Sequence, residues 1–93
     1  MRVHWFRRAS NDLEDLYHHI AHDDLDAASD EVDRVLAAAK LLADMPAIGR
    51  PGRVHDTREL VVSAYVVAYR VRNERVEILR VLHQARKWPT RLG

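Results

Sequence analysis

The chain has 93 residues, of which 47% are hydrophobic, and its 15 lysines and arginines nearly balance its 14 acidic residues, for a net charge of +1. This length predicts one small domain spanning residues 1–93. The absence of cysteine excludes disulfides and thiolate zinc sites, and every apolar run is far shorter than the roughly 18–20 residues that cross a bilayer. The first residues lack the pattern of a secretory signal peptide, so we expect a cytoplasmic protein with no membrane partner.

The charge is unevenly distributed along the chain. Residues 1–48 hold five bases and ten acids, whereas residues 49–93 hold ten bases and four acids. This division indicates an acidic face and a basic face, and the basic face is a candidate binding surface for nucleic acid or an acidic protein. The alternative is compositional, because thirteen of the fifteen bases are arginine, which a GC-rich genome favours without any functional demand.

The first half of the chain predicts a strand and two helices. Met1–Phe6 alternates as a short strand does. A helix is expected to begin at Ser10 or Asn11, since Asn11 and Glu14 have the spacing of a capping box. Asp23–Asp26 suits a turn and a new N-cap, after which a second helical period continues and must end before the first proline of the chain. Two helices so closely joined form an antiparallel hairpin.

The second half predicts a loop and a sheet. Pro46–Arg53 contains two prolines, two glycines and two arginines, which is typical of a functional loop. Thr57–Val62, Tyr65–Val71 and Val76–Leu82 are rich in β-branched and aromatic residues, and the breaks between them are short enough for hairpins. The predicted fold class is α+β: an N-terminal strand, an antiparallel helical hairpin, a three-stranded antiparallel meander packed on the helices and a short C-terminal tail. The central strand is apolar on both faces, so we expect the helices to cover one face and another element the other.

Two histidines on the first helix have the spacing of a metal site. His18 and His22 are four residues apart, but no glutamate stands in the arrangement of a metalloprotease motif and no third ligand is evident. We interpret them as part of a solvated helix face and expect neither a metal nor another cofactor.

Basic and hydroxylic side chains are grouped on the predicted sheet and tail. They are Arg58, Tyr65, Tyr69, Arg70, Arg80, His83 and Arg86. Because neighbouring strands lie about 4.8 Å apart, arginines placed this way suit phosphate, and His83 has the ionisation range of a general acid or base. The alternative is that these strand arginines form cross-strand ion pairs on the surface. The arginines are Arg58, Arg70 and Arg80, and the acids are Glu59, Glu74 and Glu77. Trp88 is interpreted as a packing anchor, since one tryptophan does not make a stacking surface for bases.

The order of these elements resembles the RelE/ParE superfamily of toxins from bacterial type II toxin–antitoxin systems over essentially the whole chain. The segments that carry the resemblance are Pro46–Arg53, Thr57–Leu60, Tyr65–Val71 and Ile78–Pro89. RelE-like members of the superfamily cut mRNA on the ribosome. For this activity the resemblance implies an arginine directly after the tyrosine that opens the central strand and a second arginine in the turn after the last strand. It also implies a tyrosine in the tail. Here those places hold Val66 and Gln84, and no tyrosine follows Tyr69.

The resemblance therefore implies the ParE-like branch, whose members bind and inhibit DNA gyrase and arrest growth rather than act as enzymes. The resemblance does not identify the residues that contact gyrase, and for that contact we predict Arg80, His83, Arg86 and Trp88 near the tail. An acidic ParD-like antitoxin is expected to bind the loop and sheet and to cover the second face of the central strand. The residues suggested for that contact are Arg50, Arg53, Arg58, Tyr65, Tyr69 and Arg70.

Two alternatives stay open at this point, and neither involves a small-molecule substrate. The first is a RelE-like, metal-independent endoribonuclease that acts on mRNA in the ribosome and uses His83 with Arg80 and Arg86. The second is a decayed homologue that binds an antitoxin but is no longer toxic.

Overall fold

The computed structural model describes residues 1–92, in which two helices pack on one side of a five-stranded sheet. This confirms the predicted α+β class. Within these residues, no helix combines the length and the apolar character needed to span a bilayer. The elements in chain order are β1 Arg2–Trp5, α1 Arg7–Ala21, α2 Leu25–Leu41, β2 Arg50–Pro51, β3 Arg58–Val62, β4 Tyr65–Arg72 and β5 Arg75–His83.

The sheet has two strands more than the predicted meander, in the order β1-β5-β4-β3-β2. The meander of β3, β4 and β5 is antiparallel, as the sequence predicts. β1 joins it in parallel with β5, with Val3 opposite Val76. The loop contributes the short edge strand β2, in which Arg50 lies opposite Glu59. A two-residue strand that ends in proline carries no alternation, so the sequence pattern does not reveal it.

The first helix begins earlier than the sequence predicts. α1 starts at Arg7, with Phe6 as its N-cap and no side chain capping the first turn. The prediction of a start at Ser10 or Asn11 with a capping box was wrong, because both residues lie inside the helix. Ala9 in the first turn is fully buried, so packing holds this turn in place without a polar cap.

The turns that join the other elements agree with the sequence. The Asp24 side chain caps α2 by accepting a hydrogen bond from the backbone N–H of Ala27 at 3.0 Å. Two-residue turns join the meander strands, and Ser63, Asn73 and Glu74 in these turns have φ of 56°, 53° and 59°. Such left-handed conformations match the twist of a hairpin.

The middle of the sheet, in β4 and β5, is buried on both faces. The main core lies between the helices and one face, and its largest members are Leu16, Val35, Leu42, Val67, Tyr69, Ile78 and Val81. Val66, Ala68 and Leu82 alternate with the core residues and so point to the opposite face. They are only 0%, 0% and 1% exposed. The expectation that an antitoxin covers this second face is therefore corrected, because the chain itself already shields it from solvent.

Candidate functional site

The loop after α2 is fastened to the sheet by Tyr69. This side chain is fully buried in β4, and its hydroxyl donates to the carbonyl of Pro46 at 2.8 Å and accepts from the N–H of Gly49 at 2.9 Å. Burial raises the pKa of Tyr69 above its usual value, against the opposing effects of the Gly49 N–H and the Arg58 charge. Tyr69 is thus an internal anchor of the loop and presents no surface to a partner.

Arg58 has a similar role on the neighbouring strand. Its guanidinium donates to the carbonyls of Gly49 at 2.8 Å and of Ala47 at 3.4 Å. The alternative of an ion pair between Arg58 and Glu59 is wrong, because successive residues of β3 point to opposite faces of the sheet. Arg58 is half-buried and holds the loop that carries Arg50.

Glu59 is the centre of an arginine cluster on the sheet face opposite the helices. Its carboxylate is 3% exposed and accepts hydrogen bonds from two guanidinium groups and one backbone N–H. Arg50 donates to Oε1 at 3.0 and 3.3 Å, and Arg53 donates to Oε2 from its backbone N–H at 2.8 Å and from Nε at 3.2 Å. The Arg53 guanidinium also lies 3.7 Å from the ring centroid of Trp88, a cation–π contact. Loop and tail therefore meet at this cluster.

A second buried carboxylate on the same face is Glu77 in β5. Arg70 on β4 donates to it at 2.6 Å and Arg75 donates at 2.9 Å. The predicted pairing of Arg70 with a strand acid is confirmed here. The bonds from Arg70 and Arg75 outweigh burial and hold the pKa of Glu77 below its usual value. For Glu59, burial is the largest single influence and raises the pKa, but the bonds from Arg53 and Arg50 together lower it overall.

These two carboxylates make stability acid-sensitive. Because the pKa of Glu59 and of Glu77 lies below the usual 4.5 in the folded chain, each contributes stability that is present above that value and is lost as pH falls through the folded pKa. We expect the urea midpoint to fall steeply below about pH 4.5. Glu59→Gln and Glu77→Gln should each flatten this acid limb, and an unchanged slope in both variants would contradict the assignment.

Arg80 is held by the first helix rather than by a strand acid. Its guanidinium donates to both carboxylate oxygens of Asp12, at 2.7 and 3.0 Å, and the N–H of Val81 donates to the same carboxylate at 2.9 Å. The two side chains are only 11% and 10% exposed, and the bonds to Asp12 raise the pKa of Arg80. The alternative of a surface pair with Glu74 or Glu77 is wrong, and the guanidinium is turned away from the surface.

The other tail residues surround a separate pocket at the opposite end of β4. Tyr65 and His83 pack edge to face with ring centroids 5.2 Å apart, and Arg86 and His19 join them around a cavity of about 360 Å³. His83 Nδ1 accepts a hydrogen bond from the backbone N–H of Ala85 at 3.0 Å. Nδ1 of His83 is therefore engaged by a contact within the tail.

The predicted site residues thus fall into separate groups. The Glu59 cluster contains Arg50, Arg53 and Trp88, and the pocket at the other end of β4 contains Tyr65, His83 and Arg86. Arg70 pairs with Glu77, while Tyr69, Arg58 and Arg80 serve internal contacts. Sequence reasoning missed Asp12 as the partner of Arg80, and it named Glu59 only as a partner of strand arginines and not of Arg50 and Arg53. The excess of arginine over lysine was the available signal, since a planar guanidinium suits a bidentate partner.

Between the helices lies an apolar groove that sequence reasoning did not single out. Its cavity measures about 520 Å³, and its lining includes Trp5, Leu13, Tyr17, Val32 and Leu36. Leu36 is 45% exposed, so this part of the amphipathic hairpin has no cover within residues 1–92. His18 and His22 are exposed, and no group of three potential metal ligands comes together within the same residues.

Known proteins resemble this chain along nearly its full length. Residues 3–88 match the family model described as the ParE toxin of type II toxin–antitoxin system, parDE. Over 90 residues, 43% are identical in a toxin named Y4kP from Sinorhizobium fredii, which covers 95% of this chain and 93% of that protein. Toxin ParE1 from Caulobacter vibrioides is 33% identical over 90 residues, with 94% and 93% covered.

Solved structures share the fold. A chain of the chromosomal ParDE system from P. aeruginosa superposes with a TM-score of 0.78 and 26% identity, covering 89% of this chain and 95% of that one. A chain of the RelBE2 toxin–antitoxin complex from Mycobacterium tuberculosis gives 0.65 and 27%, with 88% and 95% covered. Together with the family match, these similarities establish that the chain belongs to the ParE family of type II toxin–antitoxin toxins.

Proposed function

We propose that this ParE-family toxin binds and inhibits DNA gyrase in the cytoplasm and that a ParD-like antitoxin neutralises it. The observation that carries the proposal is the state of the two positions where RelE-like ribonucleases place arginines. Val66 is fully buried, and the Gln84 amide donates to the carbonyl of Ser63 at 2.8 Å while its backbone N–H donates to Ala64. Both positions stabilise the fold, and neither offers a group that grips phosphate.

The surface proposed for gyrase is the tail and the strand end before it. His83 and Arg86 are exposed and Trp88 is half-buried. Arg80 is left out of this contact surface, because its guanidinium is buried against Asp12. Of the remaining residues, Arg86 supplies a positive charge that suits an acidic partner.

RNA cleavage is the second candidate function, because one pocket brings together side chains of suitable chemistry. Tyr65, His83 and Arg86 line it, and an imidazole and a phenol are groups that can transfer protons. The same pocket is lined by Asp15, whose charge repels a phosphodiester. RNA cleavage therefore ranks below gyrase binding as the proposed function.

The ParD-like antitoxin is proposed to use two surfaces. Its apolar side chains would enter the groove between the helices, where Leu36 and its neighbours are uncovered. Its acidic side chains would reach Arg50 and Arg53, whose side chains are 53% and 45% exposed. ParDE and RelBE2, which share this fold, are both toxin–antitoxin systems, and that likeness supports a protein partner.

The deciding experiment mixes the purified toxin with gyrase, supercoiled DNA and ATP and measures trapped double-strand breaks after denaturation. We expect breaks with the native chain, about tenfold fewer with Arg86→Ala if that arginine contributes a contact of about 1.4 kcal/mol, and none once the cognate antitoxin is added. Arg8→Ala is the matched control, because Arg8 is an exposed arginine on α1.

Two other outcomes would reject the proposal. Cut mRNA in a translating extract, without trapped breaks, would favour the ribonuclease, and His83→Ala would then abolish the cutting. A folded chain that neither traps breaks nor cuts mRNA, and that does not arrest growth when expressed, would instead be a decayed toxin.

A further inference from the structure

The far end of the tail has few polar ties to the body of the protein. The near end is fixed by the Gln84 contacts and by a hydrogen bond from the N–H of Arg86 to the carbonyl of His83 at 3.0 Å. Between residues 87–92 and residues 1–86 the structure shows no hydrogen bond. The indole Nε1 of Trp88 is itself buried without a hydrogen-bond partner. The stacking of Trp88 on Arg53 is therefore the principal directional contact that this end of the tail makes.

Arg53 can hold the ring of Trp88 in one place only if its own guanidinium is fixed. Its side chain is 45% exposed, so surrounding atoms do not confine it, and a free arginine side chain samples many rotamers. What confines it is Glu59, which accepts from the backbone N–H and from the guanidinium of the same residue. These hydrogen bonds set the orientation of the guanidinium plane that faces Trp88.

Glu59 is in turn fixed by its place in the sheet. It is the second residue of β3, opposite Ala68 on β4 and Arg50 on β2, and it is 3% exposed. Arg50 donates to Oε1, while Arg53 donates to Oε2 from its backbone N–H and Nε and to Oε1 from Nη2 at 3.4 Å. The strand therefore fixes the Glu59 carboxylate, and the carboxylate in turn fixes the flexible side chain of Arg53.

We propose that Glu59 is a positioning residue for the tail: it fixes Arg53, and Arg53 holds Trp88 in the place from which the tail meets its target. That the tail meets its target rests on the proposed function, whereas the positioning of Arg53 and Trp88 does not. Without the Glu59 charge, Arg53 loses its orientation and Trp88 is released toward solvent.

The test follows the fluorescence of Trp88. The chain has two tryptophans, so the measurements use the conservative Trp5→Phe background, in which Trp88 is the sole reporter. In this background Glu59→Gln should shift the emission to longer wavelength and raise the acrylamide quenching constant toward that of the urea-unfolded chain. Arg53→Ala should do the same, because it removes the platform itself.

Glu77→Gln is the matched control. Glu77 is also 3% exposed and is also held by two arginines, so this variant loses the same charge from the same sheet face without touching Arg53. Its far-UV circular dichroism and that of Glu59→Gln establish that both are folded, and Trp88 should remain shielded in Glu77→Gln. Equal exposure of Trp88 in the two glutamine variants, or no exposure in Glu59→Gln when Arg53→Ala exposes it, overturns the proposal.

A gyrase measurement separates this proposal from the proposed function. If Glu59→Gln exposes Trp88 and also weakens the trapping of double-strand breaks, both hold. If it exposes Trp88 while trapping is unchanged, the positioning role stands and the tail is excluded as the gyrase contact.

Discussion

Replacing Asp12 by alanine should lower the free energy of unfolding by about 3–5 kcal/mol, the usual cost of removing one partner of a buried ion pair. The Arg80 guanidinium would stay inside with no carboxylate, and the N–H of Val81 would lose its acceptor. A domain of this size has a total stability of about 5–10 kcal/mol, so the variant would be close to unfolding. Urea unfolding followed by far-UV circular dichroism measures the loss.

A double variant keeps this prediction testable if the single one does not fold. Asp12→Ala with Arg80→Met removes both charges and leaves an apolar side chain of similar length, so it should recover most of the lost stability. Asp15→Ala on the exposed side of α1 is the control and should change stability by less than about 0.5 kcal/mol. A loss of under about 1 kcal/mol in Asp12→Ala would mean that the pair behaves as a surface salt bridge.

Gly49→Ala should destabilise the chain by about 1–3 kcal/mol through overpacking. An added Cβ would lie 2.6 Å from the hydroxyl oxygen and 2.8 Å from Cε1 of Tyr69, and 3.0 Å from the carbonyl oxygen of Glu59. Tyr69 is fully buried and the other contact is backbone, so neither neighbour moves freely. The glycine is required here by close approach of the loop to the sheet, and thermal unfolding measures the effect.

A second substitution tests whether the cost of Gly49→Ala comes from the contact of its Cβ with Tyr69 or from the loop itself. Tyr69→Phe removes the hydroxyl that the Cβ approaches, so its cost and that of Gly49→Ala should be less than additive in the double variant. Ala47→Gly, at an exposed position of the same loop, should have a small effect. Gly49→Ala with native stability would indicate that the loop shifts away without cost.

The sequence predicts the elements of this fold better than their contacts. Both helices and the three meander strands follow from local periodicity, which each segment displays by itself. The parallel pairing of β1 and the start of α1 at Arg7 depend on burial by distant residues such as Ile78, whose carbonyl accepts from the N–H of Phe6 at 2.9 Å. Short-range signals such as Asn11 and Glu14 point elsewhere, and tertiary packing outweighs them.

The partners of the arginines depend on similar long-range information. Simple alternation places Ile78, Arg80 and Leu82 on one face of β5, but the ladder with β4 is irregular, with Tyr69 opposite Ile78 and Ala68 opposite Arg80. Because Leu79 is the extra residue, the alternation changes and Val81 enters the core in place of Leu82. The Arg80–Asp12 bonds join residues 68 positions apart in the chain, and neither these bonds nor the irregularity is indicated by a local pattern in the sequence.

The pairing of β1 with β5 has a consequence for how the chain folds. Val3 lies opposite Val76, so the first strand cannot take its place in the sheet until the distant strand β5 has formed. Contacts this distant in sequence slow folding, since a large loop must close before they form. The helical hairpin and the meander contain local contacts and form sooner. Until β5 docks, the sheet is incomplete and β1 has no strand beside it, so the two ends of the chain enter the fold together.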